Sequence, residues 1–463
     1  MKNKVITSTD YQYGFSDQNT SVISLKKGLS ISVIKQISRI KAEPKWMLNI
    51  RLKAYQAFLK LKNPRWGPQL DFINFNDYIY YASPTKTNTK WEDVPTKIKE
   101  TFKKLNVQEM DAKFLSGTNN QYDSESIYHQ VIKELQDKKV IFTNIETAIK
   151  KYPKLVRQYF GKLVPYNDNK YAALNTAVWS GGSFIYVPKG VQLTKPLQAY
   201  FRINTKSVGQ FERTLIIVDE GAKVHYTEGC TAPIYDQNNL HAAVVEVFVA
   251  KNAKARYSTI QNWSDNVLNL VTKRCVCETN ATMEWIDGNL GSKLNMKYPA
   301  TILKGDYASA KCISIAIAHQ GVIQDAGAKM IHVGKNTRSQ IISKSIAHNG
   351  GNASYRGLVN ITKSAINSYA EVQCDTLILD SNSRTDTIPT EIISNHSSFL
   401  KHEAKVSDLD NEKLFYLNSR SINKETAKHL LVLGFIEPFV DELPMEYAVE
   451  LNRLLKIDLQ QQK

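Results

Sequence analysis

Cysteine is scarce, with five in 463 residues and none before Cys230. A sparse, odd-numbered set in so long a chain argues against a disulfide framework and for a reducing compartment. Long apolar runs are missing as well. The first residues, MKNKVITSTDYQYGFSD, contain no apolar core of signal-peptide length. The richest apolar stretch, His429 to Val440, is broken by Glu437 and Pro438 and falls short of the ~18 residues that a membrane span requires. No G-x-x-x-x-G-K-[ST] phosphate loop occurs, so any ATP used must be hydrolysed by a partner. Acidic residues are outnumbered 44 to 60 by Lys and Arg, for a net charge of +16. That surplus admits nucleic acid as a partner, but the lysines are scattered along the chain and form no basic cluster with a recognition-helix or RNA-sheet motif. The expectation is a soluble, intracellular protein with no membrane insertion and no nucleic-acid partner.

What is present is a repeat. Between Glu212 and Glu403, an apolar run, a short turn and an alternating run recur, as in VDEGAKVHY (Val218 to Tyr226) and VAKNAKARY (Val249 to Tyr257). Turn centres at residues 222, 253, 281, 308, 337 and 365 lie 31, 28, 27, 29 and 28 residues apart, and a last one at Ser383 follows after 18. Such a period marks stacked supersecondary units, each unable to bury its own apolar face. The units are rich in Val, Ile, Thr and Tyr and too heavily punctuated for helices. A parallel β-helix is predicted, with an antiparallel sandwich as the alternative.

Around this core the spacing predicts helices. Ile31, Ile34, Ile37 and Ile40 form a stripe; Pro44 restarts a helix carrying Trp46, Ile50, Leu52, Tyr55, Phe58 and Leu59, which Asn63-Pro64 stops. TKIKETFKKL and SESIYHQVIKELQDKK resume helical spacing, the latter with Ser124 as N-cap. From Asn175 the segment AVWSGGSFIYVPKGVQL reads as β-rich, with a turn at Ser180 to Ser183 that lacks phosphate-loop spacing. Near the C-terminus, SINKETAKHLLVLGF reads as a helix closed by Gly434, and PMEYAVELNRLLKI as another with Tyr447, Leu451, Leu454 and Leu455 on one side. The expected organisation is a mainly helical part over 1–165, a β-helix core over 166–403 and a helical part over 404–463.

Thiolates attack sulfur and bind iron, so the cysteines are the candidates for chemistry. Cys230, in EGCTAP, reads as a turn residue, either within reach of a sulfur donor or an inert small residue tucked into the end of a rung. In VQCDTLILD, alternation places Cys374, Thr376 and Ile378 on one face and Asp375 and Leu377 on the other. Downstream lie His402 and Glu403, both competent iron ligands, which in an extended strand point to opposite faces. Cys275 and Cys277 share a face but lack further ligands nearby, and Cys312 reads as core. Arg202 with Asn204, and Thr259 with Gln261 and Trp263, sit on alternate positions. Each set faces either solvent or a hydrophilic interior that could act as a conduit.

At these residues the chain resembles the SufBD family of the SUF iron-sulfur cluster assembly system. The likeness runs from about Gly28 to Leu455 through phrases such as EPKWML, DNKYAALNTAVWSGGSFIYVPKGV, GQFERTLIIVDEGA, EGCTAPIY, MEWIDGN, DAGAKMIH, LFYLNSR and ELPMEYAVELNRLL. It implies an α+β protein: a right-handed parallel β-helix between helical ends, a SufD-type paralogue as partner and a SufC-type ATPase on the C-terminal helices. Cys230 matches the cysteine loaded as a persulfide by a SufE-type donor fed by a cysteine desulfurase. Cys374 matches the cluster-forming cysteine, with His402 and Glu403 as its neighbours, so that Cys374 and Glu403 are the implied metal ligands. Arg202, Asn204, Glu212, Thr259, Gln261, Trp263 and Lys273 match an internal sulfur path.

The resemblance makes the protein an assembly scaffold rather than an enzyme, with a transient iron-sulfur cluster as cargo and reduced flavin left open. Two departures stand out. The N-terminal cysteine motif of some members has no counterpart here, and Lys401 replaces an acid that some members carry before the histidine. The SufD branch generally lacks the cluster-site cysteine, so Cys374 points to the SufB branch. The Lys/Asn/Ile bias and the likeness to organelle-encoded members suggest a plastid stroma, with a bacterial cytoplasm as the alternative. The rival functions are a polysaccharide-cleaving β-helix enzyme using Asp380, Asp386 and Glu391 as acid and base, and a basic nucleic-acid-binding protein.

Overall fold

The computed structural model describes residues 23–83, 117–122, 125–131, 133–202, 208–231, 238–409, 411–443, 448, 451–453 and 455, with the backbone alone at 117–134, 202 and 231. Its centre is a solenoid of parallel strands, an α+β architecture with helices at both ends. One sheet stacks Leu197–Arg202, Lys223–Thr231, Lys254–Trp263, Thr282–Gly291, Ser309–Ala318, Arg338–Ala347, Tyr369–Ile378 and Phe399–Asp408, every neighbouring pair parallel. The facing sheet runs from Ile141–Asn144 and Ser183–Val187 through Arg213–Val218, Val244–Val249 and Val267–Cys277 to Asn352–Ile361 and Thr387–Ile393. The antiparallel sandwich is thereby excluded.

The repeat seen in the sequence is a stack of corners. Gly221, Asn252, Asn280, Tyr307, Asn336 and Asn367 all have positive φ, between 55 and 68°. Gly and Asn tolerate this left-handed conformation, which is why they punctuate the period. Each is followed by a small residue turned into the core: Ala222, Ala253, Ala281, Ala308, Thr337 and Ser368. Backbone amides tie each corner to the next, as Asn252 N to Thr279 O and Asn280 N to Asp306 O. The turn at Ser383 belongs to another corner. Its amide and that of Asn382 are capped by Asp380, and it leads into Thr387–Ile393 of the facing sheet, hence the odd step of 18.

Helices close the N-terminal end. Ser30 caps Ile31–Ile40, which buries Val33, Ile34 and Ile37 and leaves Ile31 and Ile40 exposed. Lys45–Lys60 ends before Asn63-Pro64 as expected, and its Arg51 is fully buried. That guanidinium is bonded to Glu43 and to the carbonyls of Ala177 and Trp179. TKIKETFKKL lies outside the described residues, as do Ser124 and most of PMEYAVELNRLLKI, of which Leu451 and Leu455 are buried.

Three local expectations are corrected. Glu125–Val131 is a strand, antiparallel to Gly117–Tyr122, and only Lys133–Asp137 is helical. Ile127 and Val131 are four apart, a spacing that a period of 2 meets as well as one of 3.6, and the hairpin gains a sheet edge at Leu197–Arg202. Lys170–Val178 is a helix that takes in Asn175, because Asn169 caps the amides of Tyr171 and Ala172 and every residue from Tyr171 to Val178 is buried. Lys424–Val440 runs through Gly434 and Pro438. Val432, Ile436 and Phe439 pack on Ile260, Ile286, Ile313 and Ile315 of the solenoid's outer face, and this burial outweighs weak local propensity. Gly182, in the expected turn, has a different purpose from holding phosphate: a Cβ there would lie 2.3 Å from the carbonyl oxygen of Arg213.

The helical end is joined to the solenoid through Arg213 and Glu246, 2.6 Å apart and both buried. Glu246 also accepts from the amides of Gly161, Leu163 and Val164. Arg213→Met strands a buried carboxylate, so it is expected to lower unfolding free energy by about 3–5 kcal/mol in urea denaturation. A loss below ~1 kcal/mol would mean the exposed-pair regime applies instead.

Candidate functional site

Parallel, in-register pairing converts sequence positions into rows along the interior. Alternate residues of a strand share a face. One inward row runs Glu228, Thr259, Asp287, Ser314, Ser343 and Cys374. The next runs Cys230, Gln261, Asn289, Ala316, Ser345 and Thr376, and a third runs Tyr226, Tyr257, Trp285, Cys312, Ile341, Val372 and His402. Cys230 and Cys374 thus face one interior from strands five steps apart, roughly 24 Å at ~4.8 Å per step.

Cys230 is 1% exposed and precedes the last residue of its strand, so it is a strand residue and not a turn residue. Its thiol lies 3.7 Å from Glu228 Oε1, and Glu228 Oε2 accepts from the Tyr257 hydroxyl at 2.6 Å. Burial, then the charges of Glu228 and Glu212, push the thiol pKa well up, against the pull of Lys273 and Lys297. Burial also raises the carboxyl pKa of Glu228, opposed first by Lys273.

From there a buried polar network extends. Lys273 and Lys297 each lie 3.1 Å from Asp287, which also accepts from Thr259. Burial alone would raise Asp287, but the two ammonium groups outweigh it and bring the carboxyl down to about 2, while burial lowers Lys297 to about 8. Lys297 and Asn269 both donate to Gln261 Oε1, and Asn269 continues to Asn295 and Gln324. On the other side His241 faces Glu212 through Nε2 at 2.7 Å and Asn269 Oδ1 through Nδ1 at 2.5 Å. Burial disfavours a charged ring there, yet Glu212 and these bonds raise its pKa, and each ring nitrogen faces an acceptor oxygen.

At the other end, Cys374 is 3% exposed, with Sγ 3.4 Å from His402 Nε2. His402 Nδ1–H donates to Glu391 at 2.5 Å, leaving Nε2 as the acceptor facing the sulfur. Burial pushes the Cys374 thiol up to about 12; a hydrogen bond from Tyr355 pulls it down, and Asp375 and Glu391 add to the rise. Glu403 is on the opposite face of its strand, ion-paired with Lys401 at 2.9 Å and out of contact with Cys374. No described group of three or more His, Cys, Asp or Glu could hold a metal.

Thr259, Gln261, Trp263, Glu212 and Lys273 all face inward and are buried, which removes the solvent alternative for them. Arg202 occupies the register position opposite Thr231, and Asn204 lies outside the described residues. Cys275 and Cys277 lie in the core with sulfurs 3.8 Å apart, and Cys312 is core as expected. Sequence reasoning missed Glu228, His241, Asp287, Asn269 and Lys297, and it assigned Glu391 to carbohydrate chemistry. A signal for two of these existed: Glu228 is two positions before Cys230, and Asp287 is one repeat step after Thr259.

A stacked parallel solenoid holding two separated thiols and a charged, hydrogen-bonded interior defines the class. The chain matches the family model described as SUF system FeS cluster assembly, SufBD core domain, over 201–435, and that of the SufBD protein N-terminal region over 34–199. It is 52% identical to the iron-sulfur cluster assembly protein SufB of Bacillus subtilis over 461 residues, 99% of each chain. It is 53% identical to an iron-sulfur cluster assembly SufBD family protein of Staphylococcus haemolyticus, again over 99% of each chain, and to another of Staphylococcus epidermidis over 97%. The chain belongs to the SufBD family of iron-sulfur cluster assembly proteins. These relatives are bacterial, so they favour the bacterial alternative and give the plastid expectation no support. No described helix is long and apolar enough to cross a membrane.

With Cys374 as the sole cysteine, its alkylation rate in the folded protein is expected to climb about tenfold per pH unit from 8 to 10, because so little thiolate exists below its raised pKa. The same cysteine in urea should level off near the ordinary value of 9. A folded-state plateau at pH 9, followed by mass spectrometry, would contradict the burial described.

Proposed function

We propose that the chain is a scaffold on which an iron-sulfur cluster is assembled as cargo: sulfur arrives at Cys230, travels through the polar interior and meets iron at Cys374. The observation that carries this reading is that Cys230 and Cys374 lie on two adjacent, mostly polar rows of one interior instead of on separate surfaces.

Loading is a thiolate displacement. Glu228 takes the Cys230 proton, and the thiolate attacks the outer sulfur of a donor persulfide. The donor's S–S bond breaks, its thiolate leaves, and Cys230 carries the persulfide. A carboxylate whose pKa is raised by burial is a stronger proton acceptor, and Lys273 and Lys297 favour the anionic sulfur. The donor is a SufE-type protein fed by a cysteine desulfurase. Beyond Cys230 the hydroxyl and amide groups of Thr259, Gln261, Asn289, Ser314, Ser343 and Thr376 give an anionic sulfur species hydrogen-bond partners along the way.

At Cys374, Nε2 of His402 accepts the thiol proton as iron binds, and Glu391 holds the ring in place through Nδ1. Two ligands do not complete a cluster's coordination. The remainder comes from a SufD-type paralogue, seated along the last rung. Thr387–Ile393 and Phe399–Asp408 each pair on one side only among the described strands, and they expose Ile388, Ile392, Ile393, Phe399 and Val406.

The SufC-type ATPase binds the C-terminal helices, where Asn411–Ser419 leaves Phe415 75% exposed. Lys424–Val440 lies on the outer face of the strands whose inner face holds both cysteines, and Glu442 clasps Arg256 and Lys311 there. ATP-driven movement of these helices therefore acts directly on the sheet.

Cys374→Ala is expected to abolish cluster formation in anaerobic assembly with the ATPase and the paralogue, with native circular dichroism and urea stability. Full cluster yield by absorption and Mössbauer spectroscopy from the folded variant would remove Cys374 from the mechanism.

A further inference from the structure

A second charged recess lies on the outside of the solenoid, where the segment after the Lys45–Lys60 helix crosses the facing sheet. It is a cavity of about 380 Å³ whose walls include Trp66, Asp168, Lys170, Arg274, Tyr298 and Lys329, within the size range of small-molecule sites. Its strand Val267–Cys277 turns Arg274 outward to this cavity and Lys273 inward to the network, so one strand separates the two.

The charges on its wall are unequally matched. Arg274 is neutralised by Asp168, at 2.7 and 3.2 Å. Lys329 forms no ion pair with any described carboxylate. Its ammonium instead sits 5.4 Å from the Trp66 ring centre and 5.3 Å from that of Tyr298. Lys170 donates only to the carbonyls of Phe58 and Leu61, at 3.3 and 2.8 Å. Both ammonium groups have lowered pKa values, through burial and, for Lys329, the nearby Arg274 and Arg356, which outweigh the opposing charge of Asp168. Two half-buried cations with no described carboxylate in ion-pair contact are costly unless something supplies one. The N-terminal, positive end of the Lys170–Val178 helix lies at the same wall and adds to the field. Trp66, 50% exposed, leaves an aromatic surface beside the cations.

We propose that this cavity binds the phosphoryl group of a small molecule, with Lys329 and Lys170 as its counter-charges and Trp66 against its flank. A phosphate supplies the two negative charges that the wall lacks, and the volume admits a diphosphate or a mononucleotide.

The test titrates the full-length protein with pyrophosphate and with ADP by calorimetry at moderate salt. Tryptophan emission is followed in parallel. Saturable binding of one anion per chain is expected, weakened at least tenfold by Lys329→Met and by Lys170→Met and unchanged by Lys363→Met, a control for the chain's general basicity. The emission change should vanish in Trp66→Phe, a readout that stands even if a lysine variant fails to fold. Binding of pyrophosphate alone assigns a free phosphate; tighter binding of ADP assigns a nucleotide. Absence of saturable binding to both, or binding that Lys363→Met weakens as much as Lys329→Met does, overturns the proposal. So does an emission change that persists in Trp66→Phe.

Discussion

Register is the constraint from which the rest follows. Because each turn of the solenoid pairs parallel and in step with the one before, a residue's position in its repeat decides which row of the interior it joins. A slip of one residue in any rung would turn its inward side chains outward and break every row at that point. The corners prevent such slips. A left-handed Gly or Asn followed by a small buried residue recurs at Gly221, Asn252, Asn280, Asn336 and Asn367, and the amide ladder between corners fixes their height.

Register alone would equally build an apolar tube. At Glu228, Asp287, Lys273, Lys297, Glu212 and His241 this chain instead places ionisable groups in the interior, at a cost that only mutual pairing offsets. The pairing is dense: Asp287 between two ammonium groups, His241 between Glu212 and Asn269, Gln261 between Lys297 and Asn269. Farther along, where hydroxyl groups and Cys374 take over the rows, the interior carries fewer charges. The thiols are the groups left without strong activation, both held protonated by burial. A proton-accepting group lies beside each of the two, Glu228 at Cys230 and His402 at Cys374.

The core was legible in the sequence because its signals are periodic. The first four steps between turn centres, 31, 28, 27 and 29 residues, equal the register offsets between successive rungs, while the step to Ala365 falls three residues short of its rung, and alternation alone placed Thr259, Gln261 and Trp263 on one face. The partners of the cysteines were less legible. His241 and Glu212 meet across 29 residues and Asn269 and Gln261 across a turn, contacts that depend on which rung faces which. Glu391 reaches His402 from the facing sheet. Where local signals were ambiguous, tertiary context decided: a spare sheet edge made Glu125–Val131 a strand, and an apolar groove carried Lys424–Val440 past Gly434.

The claim at the centre is that sulfur moves between two thiols inside the stacked sheets. It is tested most directly by loading Cys230 with isotopically labelled persulfide, then locating the label by peptide mass spectrometry in the unaltered chain and in Ser314→Phe, which puts a bulky side chain midway along the row. The account predicts label on Cys374 in the unaltered chain and label retained at Cys230 in the folded Ser314→Phe variant. Equal labelling of Cys374 in both would mean that sulfur reaches it from outside and would contradict the account.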